Sequence, residues 1–281
     1  MQDAFLQELG KIVSAEDLGK IESTAVDTMF MMFSRFGEDT GPEMTSSKVG
    51  LIGYWPENLN FPTNDDGEPL GLLAQINFAE LPRMKDWPGR GILAFYIDIM
   101  HWQNGCNVDH PTKGSDVKVA YFRNVNAPCV SRERQEIMYE EHLLDDIYLP
   151  FPIQDQYRIT GQLVTQYNLY DNLEFSRTFG KRMPEHFDED TLYAIQGLQH
   201  IFHPYRNFFG GYPAFTQEDP RFSAPMMHQY DEMLLQLDTT VDADAKIDIM
   251  WGDCGVANFF APSDAKKKLN FDEVWFNWDC Y

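Results

Sequence analysis

Apolar positions follow two rhythms along this chain. Phe5, Leu6, Leu9, Ile12 and Val13 recur at the three- and four-residue spacing that lines one face of a helix, with Gly10 the one weak helix former among them. After the Ser14-Ala15-Glu16-Asp17 segment, Val26, Met29, Phe30, Met32 and Phe33 read the same way, so a second helix is expected before the Gly37 and Gly41-Pro42 breakers. This places an N-terminal helical segment over about residues 1–40. From Lys48 the rhythm shortens. Turn residues punctuate runs rich in β-formers: Gly53-Tyr54-Trp55-Pro56, Phe61-Pro62, the Asn64-Asp65-Asp66-Gly67 turn, Leu72 to Asn77, and Gly91 to Asp98. Val117 to Val125 is expected to join the same sheet.

Farther along, Glu133 to Ile147 carries Ile137, Leu143, Leu144 and Ile147 in a charged background, and helix and strand both remain open there. Asp188, followed by acidic residues and by Leu192, Ile195, Leu198 and Phe202, predicts a helix over about 189–201. Strands return from Asn207 onward. They close with Phe271 to Tyr281, where Val274, Phe276 and Trp278 share one face.

Two segments carry the same ordered landmarks. One runs Gly53-Tyr54-Trp55-Pro56, Leu72 to Asn77, then Gly91 to Phe95; the other runs Gly210-Gly211-Tyr212-Pro213, Leu234 to Asp238, then Gly255 to Phe260. The organisation this suggests is one domain over 1–281, with a first repeat at about 48–125, a variable insert at about 126–206 and a second repeat at about 207–281. Gln75 and Gln236 sit among leucines and isoleucines at matching places in the two repeats. A glutamine so placed either clamps neighbouring backbone or faces a ligand groove between the repeats.

The landmarks resemble the YwqG-like family of bacterial proteins of unknown function. The likeness is carried by Gly53 to Pro56, Pro69-Leu70 with Leu73 to Asn77, Gly210 to Pro213 with Gln217, and above all Trp251 to Phe260 with Asn277-Trp278-Asp279-Cys280. It covers the chain from about Leu51 to the end. The resemblance implies a mainly β, roll-like fold of antiparallel sheets with an internal duplication and peripheral helices. It implies no activity and no catalytic residue. Phe208-Phe209 ahead of the Gly-Gly turn, and the stretch from Cys106 to Lys181, depart from the family's pattern.

Composition narrows the partners. With 44 acidic residues against 22 basic ones, a formal charge of −22 disfavours nucleic acid and anionic membrane surfaces and favours cationic partners. The apolar share of 43% supports a packed core. Cys106, Cys129, Cys254 and Cys280 are far apart with no Cys-x-x-Cys pair, and the first residues lack a basic start and an apolar run. The expected compartment is the cytoplasm, and no stretch is long and apolar enough for a membrane span.

No catalytic signature stands out. Glycine-rich nucleotide loops and nucleophile elbows are missing, and the acidic surroundings of Cys254 disfavour its thiolate. Glu218, Asp219, Asp253, Asp272, Glu273 and Asp279 could supply paired carboxylates for hydrolysis, or serve as solvated loop acids and turn caps. Asp242, Asp244 and Asp248 imitate a calcium loop without its glycine or distal glutamate, and His200 with His203 lack a zinc motif. No metal and no cofactor is expected. Trp251, Trp275 and Trp278 are core or stacking platform, with Trp251 the better candidate for partial exposure.

These residues point first to a non-enzymatic binding protein. Its site is expected between the repeats, with Gln75, Gln236, Trp251, Asp253, Trp278 and Asp279 as candidate ligand-binding residues. An acidic module that neutralises a basic protein such as a toxin is the alternative, and a carboxylate-dependent hydrolase a further one.

Overall fold

A computed structural model describes residues 2–37, 41–101, 103–106, 116–142 and 148–281. Two helices open the chain, α1 (Gln2–Leu9) and α2 (Ala15–Glu22), the second capped by the Ser14 hydroxyl, which accepts from the Asp17 amide. Strands β1 (Val26–Arg35), β2 (Lys48–Val49), β3 (Gly71–Asn77), β4 (Ile92–Ile97) and β5 (Val117–Phe122) follow. Then come α3 (Arg132–Glu140), β6 (Tyr157–Gln166), α4 (Leu173–Phe179), α5 (Met183–His186) and α6 (Glu189–Phe202). The chain finishes with β7 (Phe208–Phe209), β8 (Glu232–Asp238), β9 (Thr240–Asp242), β10 (Ile247–Ile249), β11 (Val256–Ala261), α7 (Ser263–Lys268) and β12 (Trp275–Asp279). The fold is mainly β with peripheral helices, as the sequence pattern predicts.

One expected helix is a strand. Residues 26–35 form β1 and pair along all ten residues with β6. Met29 and Met31 point into the core, while Phe30 on the opposite face packs against Phe208 and His203. Apolar residues on both faces erase the two-residue alternation and imitate helical spacing. The ambiguous stretch at 133–147 begins as α3, capped by Ser131; Leu143, Leu144 and Ile147 lie outside the described residues.

Ten strands form one antiparallel sheet in the order β12-β11-β8-β7-β1-β6-β2-β3-β4-β5, and β9 and β10 make a separate hairpin. The stretch at about 126–206 contributes β6, which lies beside β1 at the sheet centre.

The strands on either side of that central pair repeat each other closely. Gln75 faces Ala94 as Gln236 faces Asn258, and the same bulge falls at Leu73 and at Leu234. The amide of Gly50 donates to Leu73 O at 3.1 Å and that of Gly210 to Leu234 O at 3.0 Å. Gly210 therefore takes the place of Gly50, and the structural equivalent of Gly53 is Pro213, three residues away from the match the sequence landmarks suggested. Both glycines have positive φ, +141° and +76°, a backbone region that L side chains rarely adopt.

The sheet curls until its two outer parts face one another. Phe95 of β4 and Phe259 of β11, which are equivalent, meet with ring centroids 5.1 Å apart. Around them lies the main core, drawn from both halves: Leu73, Leu93 and Ile97 from one, Leu235, Leu237 and Phe276 from the other. Near the open seam, Lys118 of β5 pairs with Asp272 at 3.1 Å and the Trp278 indole donates to Gln103 O at 2.8 Å. No helix among the described residues is long and apolar enough to cross a membrane.

Candidate functional site

The six candidate residues do not line a common cleft, although a cavity of about 380 Å³ lies where Met84–Trp87 of the first repeat meet Gly210–Pro213 and Lys266 of the second. Gln75 and Gln236 are fully buried, and their amides are spent on backbone. Gln75 accepts from the Tyr54 amide at 2.9 Å and donates to Met44 O and Ser46 O, both at 2.7 Å. Gln236 accepts from the Ala214 amide and donates to Arg206 O, each at 2.7 Å. The structure makes clamps of them and does not bring them to a common cleft. Trp251, expected to be partly exposed, has 0% exposure; it packs against Phe276 and Trp278 with centroids 6.1 and 5.9 Å away. Trp278 is half-buried, and Asp253 is exposed on the turn that closes over Trp251, where its carbonyl accepts from the Tyr281 amide.

Asp279 is different. On the ladder it occupies the place of Phe122, since Val256 faces Asp279 as Ile92 faces Phe122. Two residue pairs inward, on the same face, Asn258 faces Asn277 where the first half has Ala94 facing Ala120. Of these four apolar positions on the outer face of the first half, three are polar in the second and Val256 stays apolar. At the loop and strand ends charge replaces neutral polarity, with Arg206 and Asp238 standing where the first half has Ser46 and Asn77.

The consequence is a difference in how each half is sealed. In the first half Trp55, Tyr96, Phe122 and Val130 pack as an apolar cluster, and the segment before α3 covers it. There the Glu57 amide donates to Pro128 O and Gln135 reaches in to both backbone groups of Gly53. In the second half the Asp279 carboxylate replaces that covering chain, accepting from the amides of Thr216 at 3.0 Å and Gln217 at 2.7 Å. Burial raises the Asp279 pKa above the usual carboxylate value, although these bonds and Arg206 pull the other way.

Beside this carboxylate opens a cavity of about 470 Å³, bounded by the Leu169–Asp171 segment, the end of α6, Arg206, Asp238, Thr216, Gln217 and Tyr281. The Arg206 guanidinium donates to both Asp238 oxygens at 3.1 Å. Burial alone would lower the Arg206 pKa, and the Asp238 carboxylate more than offsets it, leaving it raised. His203, the residue that ends α6, is lowered by burial and sits against Phe30 and Phe208. Several buried side-chain atoms in this neighbourhood have no hydrogen-bond partner: Thr216 Oγ1, Asn258 Oδ1, Asn277 Nδ2, Asp279 Oδ1 and His203 Nδ1. Each such atom costs roughly 1–3 kcal/mol.

The sequence profile of a domain of unknown function, DUF1963, matches residues 47–280 and so takes in both halves, the cavity loop and Asp279. The chain belongs to the DUF1963 family. No curated protein matches it. The DUF1963 match starts after α1, α2 and β1, although β1 lies at the centre of the sheet.

The other candidate residues do not converge. Asp219 is buried with Glu174 around the fully buried Arg221, Glu218 pairs with Arg182, and Asp272 pairs with Lys118. Asp242 caps the Ala245 amide in the β9–β10 turn, and His200 is exposed on α6. A cluster the sequence did not reveal joins Asp66, Glu68 and His101, whose ligand atoms lie within 4.8 Å of one another. His101 is already held by buried Asp98 at 2.6 Å, which raises its pKa.

Proposed function

We propose that this DUF1963 chain, akin to the YwqG-like group, is a non-enzymatic cytoplasmic protein that binds a small molecule. The site we assign is the second-half cavity. The observation that carries this reading is the gathering of unpartnered buried polar atoms beside an open cavity, where the equivalent part of the other half is apolar and covered. Buried polar groups left unsatisfied in one place are expected where a ligand or ordered water completes them. Arg206, Asp238, Thr216, Gln217 and Tyr170 present donors and acceptors to such a ligand. The cytoplasm suits four cysteines that are all unpaired.

The test is a thermal-melt screen against metals, sugars, nucleotides, amino acids, polyamines and short basic peptides. Ligand at a hundredfold its Kd should stabilise the fold by about 2.7 kcal/mol, a shift of several degrees. Gln196→Trp, on the exposed cavity-lining face of α6, should abolish the shift. Silence across every class, or a shift that Gln196→Trp leaves intact, would overturn the assignment.

A second reading, capture of a basic protein, draws support from the formal charge of −22. It requires binding that weakens steeply with salt and is indifferent to Gln196→Trp.

A further inference from the structure

We infer that the ligand of this cavity is an organic ammonium with an apolar arm. The inference rests on the cavity being a binding site and concerns the chemistry that fits it.

Charge is the first argument. Asp171, Glu218, Asp238 and Asp279 surround the cavity or stand directly behind its loop, against the guanidiniums of Arg182 and Arg206. That is four carboxylates to two cations, and both cations are already engaged. Arg206 donates through Nε and Nη2 to Asp238, while Arg182 donates to Asp171 and to Glu218. An anion would meet guanidiniums whose charge those carboxylates already offset, and the surplus carboxylates would repel it. A cation would meet an excess of carboxylate, with Asp171 and Asp238 on the wall and Asp279 behind Thr216 and Gln217, without breaking those pairs.

The end of α6 adds to the same sign. This 14-residue helix finishes at the cavity, and the carbonyls of a final turn carry partial negative charge that favours a cation. Tyr170, Phe215 and Tyr281 on the walls supply aromatic faces of the kind that hold ammonium groups.

The arm follows from a second hollow. A groove of about 280 Å³ runs over β6 and shares Tyr170, Gln199 and His203 with the cavity, so the two spaces adjoin across these side chains. Its apolar lining comes from Phe5, Leu163, Val164 and Phe202, and Leu163 is left 44% exposed. An ammonium head in the cavity thus has an apolar trough beside it, where burying methylenes adds affinity.

Titration calorimetry of the full chain with hexylammonium, hexanoate and hexanol separates these contributions, because the three share an arm and differ in head charge. Hexylammonium should bind roughly tenfold tighter than either of the others, and lose most of that affinity in Gln196→Trp. Methylammonium should bind more weakly than hexylammonium, and Leu163→Ser should narrow that gap. Equal or tighter binding of hexanoate would overturn the ammonium assignment while leaving the cavity reading intact, provided Gln196→Trp blocks it. If none of the three binds, the ammonium assignment falls. The cavity reading falls with it only if the wider thermal screen is silent too.

Discussion

The two halves of this sheet share a skeleton and differ in what they cover. Both have the same bulge, the same left-handed glycine and the same glutamine clamp, yet one closes over Ala94, Ala120 and Phe122 while the other has Asn258, Asn277 and Asp279 there and a cavity beyond the Thr216–Gln217 segment that Asp279 holds. The skeleton is a requirement of folding, because a two-residue strand such as β2 or β7 depends on side-chain clamps to hold the loops around it. The covering is free to diverge. In the second half, polar groups stand in place of apolar ones, and the chain completes their hydrogen bonds only in part.

The comparison can be broken most decisively at the clamps. Gln75→Leu removes three backbone partners and Gln236→Leu removes two, so losses of about 4 and about 3 kcal/mol are expected in urea denaturation. A loss under about 1 kcal/mol for either would mean that its glutamine is not a structural clamp.

Next are the glycines. A methyl group on Gly50 would lie 2.6 Å from Gln156 Cγ and 2.9 Å from Asp155 O, whereas on Gly210 its nearest neighbour is Met84 Cε at 3.3 Å. Gly50→Ala should cost about 3 kcal/mol and Gly210→Ala about 1, and equal costs would show that backbone strain outweighs the crowding.

Lys48 sharpens the comparison, since the other half has Phe208 at that position. Burial, helped by Arg132, pulls the Lys48 pKa down from 10.5 to about 7. The folded state then binds fewer protons than the unfolded chain between those values, so stability rises with pH across that window. Lys48→Met should flatten the rise and add about 2 kcal/mol at neutral pH, after allowance for the lost bond to Glu43 O. A variant no more stable than the parent at neutral pH would contradict the buried-charge cost.

The smallest expected effect is at Asp279. Its raised pKa means that the folded state holds the proton longer, so ionising it lowers stability as pH climbs from the ordinary aspartate range through the raised value. Asp279→Asn should remove that slope and change neutral stability by less than about 1 kcal/mol. An unchanged pH profile would place the titration elsewhere.

Much of the skeleton was legible in the sequence. Leu72 to Asn77 and Val256 to Phe260 announce themselves as strands through β-formers bounded by turns, and Asp188 announces α6. β1 was hidden because Phe30 and Met29 are covered on opposite faces. The cavity was hidden for a different reason: its residues come from β6–α4, α6, β8 and the chain end, and only the tertiary fold collects them. Asp279 was singled out for its motif, while Arg206 and Asp238 become visible once Gly210 is matched with Gly50. With that register the polar substitutions line up as a list of differences between the repeats.

The placing of β1 and β6 has a consequence for how the chain is made. β1 precedes the first repeat yet hydrogen-bonds β7 of the second, and β6 precedes the second repeat yet hydrogen-bonds β2 of the first. Each half has lent its leading strand to the other, as two subunits of a strand-exchanged dimer would, here fused into one polypeptide. During synthesis the first half must therefore wait, its sheet edge bare, until residues beyond 157 emerge, and β1 waits for Phe208. Such long-range closure slows folding and exposes pairing edges on the way.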